Sequence, residues 1–213
     1  MARTLGTTTD ILTSRIRQSG NIGVTNDFAV QVLTTAQQYI NILLKRVITT
    51  ESLTTLKEKQ VYSIADDLTN AIDIVSVSES NRELFHCKDF SELSAYEENW
   101  FRNITATRFE AWHQIARDYF IIYPAKAANS SVSVEFVKAT TISTDYTTDS
   151  GNNLELPDED VEAVLKLSEI ILLVRGRNFT PIKKTARSLI DILEAKGVIF
   201  KSANLNTMFN FGA

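Results

Sequence analysis

His86 and Cys87 are adjacent, and an imidazole beside a thiol is the raw material of a nucleophilic dyad. Neighbours in a strand point to opposite faces, and no third polar residue orients the pair, so a strand-end pair is the expected reading. The chain's other histidine, His113, has no His or Cys partner at metal-ligand spacing. Asp66 with Asp67, and Asp158 with Glu159 and Asp160, offer oxygens to a divalent cation. A turn accounts for the first group. The second follows Pro157, where the positive end of a helix dipole favours acids. Lys183, Lys184 and Arg187, with Arg175 and Arg177, form a candidate phosphate-touching stripe or simply the wet face of a helix. Trp100 and Trp112 are candidates for a pocket wall, although large aromatics mostly build cores and interfaces. There is no Gly-rich phosphate loop, no GxSxG and no standout carboxylate pair. The expectation is a chain that binds rather than catalyses, with no catalytic residue, cofactor or metal.

Composition sets the frame for these residues. The 213 residues are 44% apolar and 23% charged, enough for one domain, or one domain with an inserted lobe, around a full core. The net charge of −4 gives no general reason for strong nucleic-acid binding. One cysteine rules out an intrachain disulfide framework and fits folding in a reducing compartment. No apolar run approaches the roughly 18 residues that span a membrane. Residues 1–20 lack the apolar core of a signal peptide. A soluble protein made inside a cell is expected.

Residues 108–167 organise the chain. Alternation predicts a strand around Trp112, then a strand of aromatic and β-branched residues ending at Tyr123-Pro124, where proline withholds a ladder donor. Residues 131–137 alternate Val132, Val134 and Phe136 with Ser131, Ser133 and Glu135, the period of a half-buried strand. The turn-like Asn129, Ser130 and Ser131 suggest that the last two strands close as a hairpin.

Helices surround this β region. A short amphipathic piece is expected over 10–17. After an N-cap at 25–27, apolar residues from Phe28 to Val47 recur at helical spacing, predicting about 22 residues and roughly 33 Å, with Lys45 and Arg46 in the last turn. Residues 48–86 read as weak strands, with 71–77 pairing with 81–86, and 88–101 as a helix carrying Phe90, Leu93, Tyr96 and Trp100. A polar spacer at 143–153 leads to a helix behind Pro157 that stops at Gly176. A second helix behind Thr180-Pro181, closed by Lys196-Gly197, should pack antiparallel to it. The expected fold class is α+β. It comprises an N-terminal segment and bundle helix (1–49), a mainly β insert with one short helix (50–153), two bundle helices (154–198) and an extended tail (199–213).

That tail carries Phe200, Leu205, Met208, Phe209 and Phe211 among Asn, Ser and Thr, with no charge after Lys201. Apolar anchors on a polar segment suit ordering against a partner. Folding back over the chain's own core has equal standing.

The order of Trp100, Phe101 and Arg102, then Arg108-Phe109 with Trp112, then Ile122-Tyr123-Pro124, a Val-alternating strand, and Leu154-Glu155-Leu156-Pro157-Asp158-Glu159 opening a helix resembles the head-to-tail adaptor (connector, or neck) proteins of tailed bacteriophages, particularly of podovirus-like necks. The resemblance is strongest over 100–176 and extends from the helix at Asn26. The chain departs from it in the second proline-led helix and the Phe-rich tail. The resemblance implies a non-enzymatic virion protein that binds the portal and assembles as a ring, typically dodecameric. Such a ring extends the DNA channel and presents a surface to tail or nozzle proteins. Portal docking would fall to Phe200, Leu205, Met208, Phe209 and Phe211. Genomic DNA would pass without sequence-specific binding, a passage that acidic walls would suit because they do not retain phosphates. Two alternatives stand beside this: another neck or tail-completion ring, and a cellular domain using the Trp100/Trp112 region as a peptide or ligand groove. A DNA-binding regulator is disfavoured by the acidic balance and the lack of a basic recognition helix.

Overall fold

The computed structural model describes residues 3–20, 23–96 and 106–198. The fold is α+β and divides into two compact units, Met1–Arg46 with Thr140–Ala213, and Val47–Ala139.

The first unit is helical. Helix α1 (Leu5–Gly20) is twice the length that periodicity suggests, beginning in a run of threonines. Their hydroxyls are satisfied inside the helix: Thr8 donates to the Thr4 carbonyl at 2.8 Å and Thr9 to that of Leu5 at 2.7 Å. Threonine can therefore be buried here without a lost hydrogen bond, which apolar periodicity does not register. Gly6 lies against residue 150, where an added Cβ would sit 3.0 Å from the Ser150 carbonyl oxygen. Helix α2 (Asn26–Leu44) starts at Thr25, whose hydroxyl accepts from the Phe28 amide at 3.4 Å, and buries Ala29, Leu33, Ala36 and Ile40 along one face. It ends earlier than the apolar pattern implies. Lys45 turns left-handed (φ 50°), so Arg46 lies beyond the helix rather than in its last turn.

After the one-turn helix α5 (Tyr146–Asp149), capped by the Asp145 carboxylate, Pro157 precedes a 3-10 turn over Asp158–Asp160. Helix α6 follows (Val161–Arg175). Pro157 is thus extended (φ −56°, ψ 149°), and the acids occupy the turn before the α-helix. Helix α7 (Ile182–Ala195) packs on α6 with Ile182, Ala186, Leu189 and Leu193 inward, a stripe at i+4, i+7 and i+11. Lys196 and Gly197 (φ 88°) close it, and the Val198 amide donates back to Leu193 at 3.0 Å.

The second unit holds two four-stranded sheets. One has the order β1 (Ile48–Thr55), β8 (Ser130–Lys138), β3 (Ala71–Glu79), β4 (Arg82–Glu83). The other is β2 (Val61–Ser63), β7 (Tyr119–Tyr123), β6 (Ala111–Ile115), β5 (Phe85–His86). Tyr62, Ile74, Trp112, Phe120, Ile122, Val134 and Phe136 from both sheets meet in one core. The expected strands at Trp112, before Tyr123-Pro124 and over 131–137 are all present. The expected hairpin between the last two is not, because β7 pairs with β6 and β2 while β8 pairs with β1 and β3. Each strand has a fully apolar inner face, and placing them in opposed layers buries both. The tight turn is instead β6 to β7, closing at Ile115↔Tyr119 with Ala116 left-handed (φ 52°).

Residues 81–86 are likewise divided. β4 pairs with β3, but through Ser78↔Glu83 and Glu79↔Arg82 rather than through 71–77, which pair with β8; the chain then changes sheet at buried Leu84, and β5 runs parallel to β6. Asp66 and Asp67 lie in a one-turn helix, α3 (Ile64–Asp67), rather than a simple turn, with the Ser63 hydroxyl accepting from the Asp66 amide at 3.2 Å. Helix α4 (Phe90–Tyr96) occupies the start of the expected 88–101 helix.

Candidate functional site

The two chemistry-bearing pairs of the β unit are structural. His86 stacks on the Trp112 indole at 4.1 Å between ring centroids, while Cys87 turns inward and is fully buried. Burial, and then Glu92 and Asp89, push the thiol's pKa upward, away from the thiolate a nucleophile needs. His113, not His86, reaches toward this cysteine, and its Nδ1 contacts the Cys87 carbonyl oxygen at 2.8 Å rather than the sulfur. Trp112 is core. Asp67 accepts from the Ser63 amide at 2.8 Å and lies 3.5 Å from the Lys59 ammonium, which uses its oxygens locally. Among the described residues, no group of three or more His, Cys, Asp or Glu side chains converges as metal ligands would.

In the helical unit the acids after Pro157 separate by role. Asp160 is wholly buried, and the Arg46 Nε donates to its Oδ2 at 3.0 Å while the Lys196 ammonium lies 2.7 Å from Oδ1. Glu159 stays exposed, 3.3 Å from Arg46. One carboxylate therefore ties the residue after α2, which leads to the β unit, to the end of α7, which leads to residues 199–213. Dipole complementation does not foresee this. A signal existed: Asp160 is in phase with Val164, Ser168 and Leu172 at four-residue steps, all of them buried, whereas Asp158 and Glu159 are not.

A second network joins α1 to α6. Arg15 reaches Glu162 at 2.8 Å and Glu169 at 3.1 Å, and Lys166 lies 3.2 Å from Glu169. The hydrogen bond to Glu162 is the main force holding the guanidinium's pKa above its usual value. Arg15, Lys166 and Glu169 border a cleft of about 430 Å3 that extends to Lys184 and Thr185. Arg15 and Lys166 pair with Glu162 and Glu169, so this side of the cleft is a seam between α1 and α6.

The proposed basic stripe is only partly assembled. Arg175 lies over the Phe28 ring at 4.1 Å, while Arg177, Lys183, Lys184 and Arg187 are exposed around the α6–α7 connection. Trp100, Phe101 and Arg102 lie outside the described residues, as do Phe200, Leu205, Met208, Phe209 and Phe211. Among the described residues, the fold presents exposed side chains on each of two compact units.

The family model described as SU10 adaptor protein matches residues 7–172, more than three-quarters of the chain. The chain belongs to this family. The adaptor is a phage head-to-tail adaptor protein, a structural component of the virion, and its interactions are with portal and tail components in general. No curated protein matches it. No helix among the adaptor's described residues is long and apolar enough to cross a membrane.

Proposed function

We propose that the adaptor binds the portal at the capsid's tail vertex, closes into a homo-oligomeric ring (dodecameric in this reading), and offers its far side to nozzle or other neck proteins. The match to the adaptor family over residues 7–172 carries this reading. Lateral contacts in such a ring are heterologous, so two different faces of each copy must complement one another. The genome passes through the ring without sequence-specific contacts, which a net charge of −4 suits. The chain works by binding, not by catalysis.

Residues 199–213 are the portal-docking element, with Phe200, Leu205, Met208, Phe209 and Phe211 as anchors. A segment with five apolar anchors and no charge beyond Lys201 gains contact area on docking and loses ordering entropy in exchange. The decisive experiment is a pull-down of full-length protein with its portal, imaged by electron microscopy. A ring stacked coaxially on the portal is expected, and deletion of 199–213 abolishes it while leaving a cooperative melt. A monomer that ignores the portal and instead binds a peptide or small ligand overturns the reading.

A further inference from the structure

The sheet of β1, β8, β3 and β4 ends on one side at β1, and that edge is open. The Lys138 amide donates to the Val47 carbonyl at 2.9 Å, one step beyond the Ile48↔Val137 pair. Bonded pairs then recur at Thr49, Glu51, Leu53 and Thr55. The N–H and C=O groups of Ile48, Thr50, Ser52 and Thr54 therefore point away from β8. None of these outward groups has a hydrogen-bond partner among the described residues. The same four residues are exposed, while Leu53 and Thr55 are buried on the opposite face. Register with β8 is unbroken along all 8 residues, which offer a template of about 27 Å.

The other edges of the two sheets are guarded. β4 and β5 have 2 residues each. β2 has 3, and the Asp67 carboxylate takes the outward amide of Ser63 at 2.8 Å. β3 carries two register shifts against β8, and its Ile74 amide bonds the Gln114 side chain at 3.1 Å. Short strands, bulges and side-chain plugs are the means by which a sheet edge refuses a partner. β1 has none of them. It contains no proline, glycine or lysine, and its one charge, Glu51, accepts from the Thr69 amide at 3.0 Å. An open edge of this length on an otherwise guarded unit is a surface for strand addition.

We propose that β1 receives an added strand from an extended, uncharged segment of a neck protein other than the portal. On the outer face the side chains of that strand lie beside Ile48, Thr50, Ser52 and Thr54, a row without charge. A second copy's β1 does not fit. Full-length antiparallel pairing of two β1 edges joins Ile48 to Thr54 and Thr50 to Ser52. That register sets Glu51 directly against Glu51, and like charges so placed destabilise a sheet. Such a pairing also closes at two copies, whereas a ring needs heterologous contacts. The short and bulged edges of a second copy match nothing of this length. Residues 199–213 are the portal element in the reading above, and the inference rests on that reading in setting them aside. It goes further by giving the adaptor's other partners a site of their own, on the unit Val47–Ala139.

The test places proline at an outward position of the full-length protein. Thr50→Pro removes only an N–H that points away from β8, so the ladder keeps its bonds and the melting temperature should not change. Thr50→Val keeps that N–H and is the control. Virions are assembled with each variant and their neck proteins quantified. Thr50→Pro should lower the retention of one neck protein roughly 10-fold, the scale of an unmade backbone bond, with Thr50→Val at the wild-type level. Equal retention with both variants overturns the proposal. Photocross-linking in virions from p-benzoylphenylalanine in place of Thr54 identifies the donor even where the proline variant folds poorly. A cross-link to an uncharged segment of a neck protein other than the portal is expected. A cross-link to the portal, to a second copy's β1, to residues 199–213 or to nothing overturns the proposal. Portal pull-down by Thr50→Pro should be normal, and its loss with an unchanged melt also counts against strand addition. The 199–213 reading fails on a different test, the deletion of that segment, so the two are scored apart.

Discussion

The Lys196 ammonium lies 2.7 Å from the Oδ1 of Asp160, a carboxylate with no exposure to solvent, and Arg46 holds the other oxygen at 3.0 Å. Breaking a buried pair costs more than forming it gains, because the partner charge is left without compensation. Asp160→Asn should therefore destabilise the protein by about 3 kcal/mol in urea denaturation. Lys196→Met should cost less, since Asp160 keeps Arg46. Equal, near-zero effects for both would remove this node from the fold's supports.

Trp112 packs with Phe120 and Phe136 in the β-unit core and stacks on His86. Trp112→Ala should cost about 4 kcal/mol through lost burial and a residual cavity. Trp112→Phe should cost far less, because the buried indole N–H has no acceptor among the described residues and its removal leaves nothing unsatisfied. The comparison is made by denaturant melts of the full chain. Equal costs would mean that the indole N–H is satisfied after all.

The strands of the β unit were legible where a single face alternates. Val132, Val134 and Phe136 announced β8, and Tyr123-Pro124 marked the end of β7. Pairing was not legible, because alternation says which face is buried and not which layer covers it; β7 and β8 are adjacent in sequence and lie in opposed sheets. Helices were read well where aliphatic residues build the stripe, as in α2 and α7. The first half of α1 escaped because its buried positions are threonines that bond within the helix. The role of Asp160 escaped for a related reason: an acid near a helix start has a sufficient local explanation, and only its phase with Val164 and Ser168 points inward.

Ser80 and Asn81 form the two-residue link between β3 and β4, with φ of 51° and 65°. Two successive positive φ values call for Asn-Gly, and a serine is strained at the first position. Replacing Ser80-Asn81 by Asn-Gly should stabilise the chain by about 0.5–1 kcal/mol, seen as a rise in Tm. An unchanged or lower Tm would mean that the turn is set by Arg82 and Glu83 rather than by its own backbone preference.

Tyr62 supplies a stability signal at alkaline pH. Burial pushes its phenol up to about 12, and its hydroxyl donates to the Lys59 carbonyl at 3.0 Å. Below the usual tyrosine value of about 10 both folded and unfolded chains hold the proton, so the full stability is present there. Between about 10 and 12 the unfolded chain ionises first. Stability is lost across that window, by at most about 3 kcal/mol for a two-unit difference. Tyr62→Phe has no proton to lose but gives up the bond to Lys59, about 1 kcal/mol at neutral pH. Wild type should therefore be the more stable of the two at pH 8 in urea, and the order should reverse as pH rises toward 12. Other groups that titrate in this range affect both proteins alike and cancel in the difference. A gap that stays constant from pH 8 to pH 12 would show that the Tyr62 phenol ionises as it does in water.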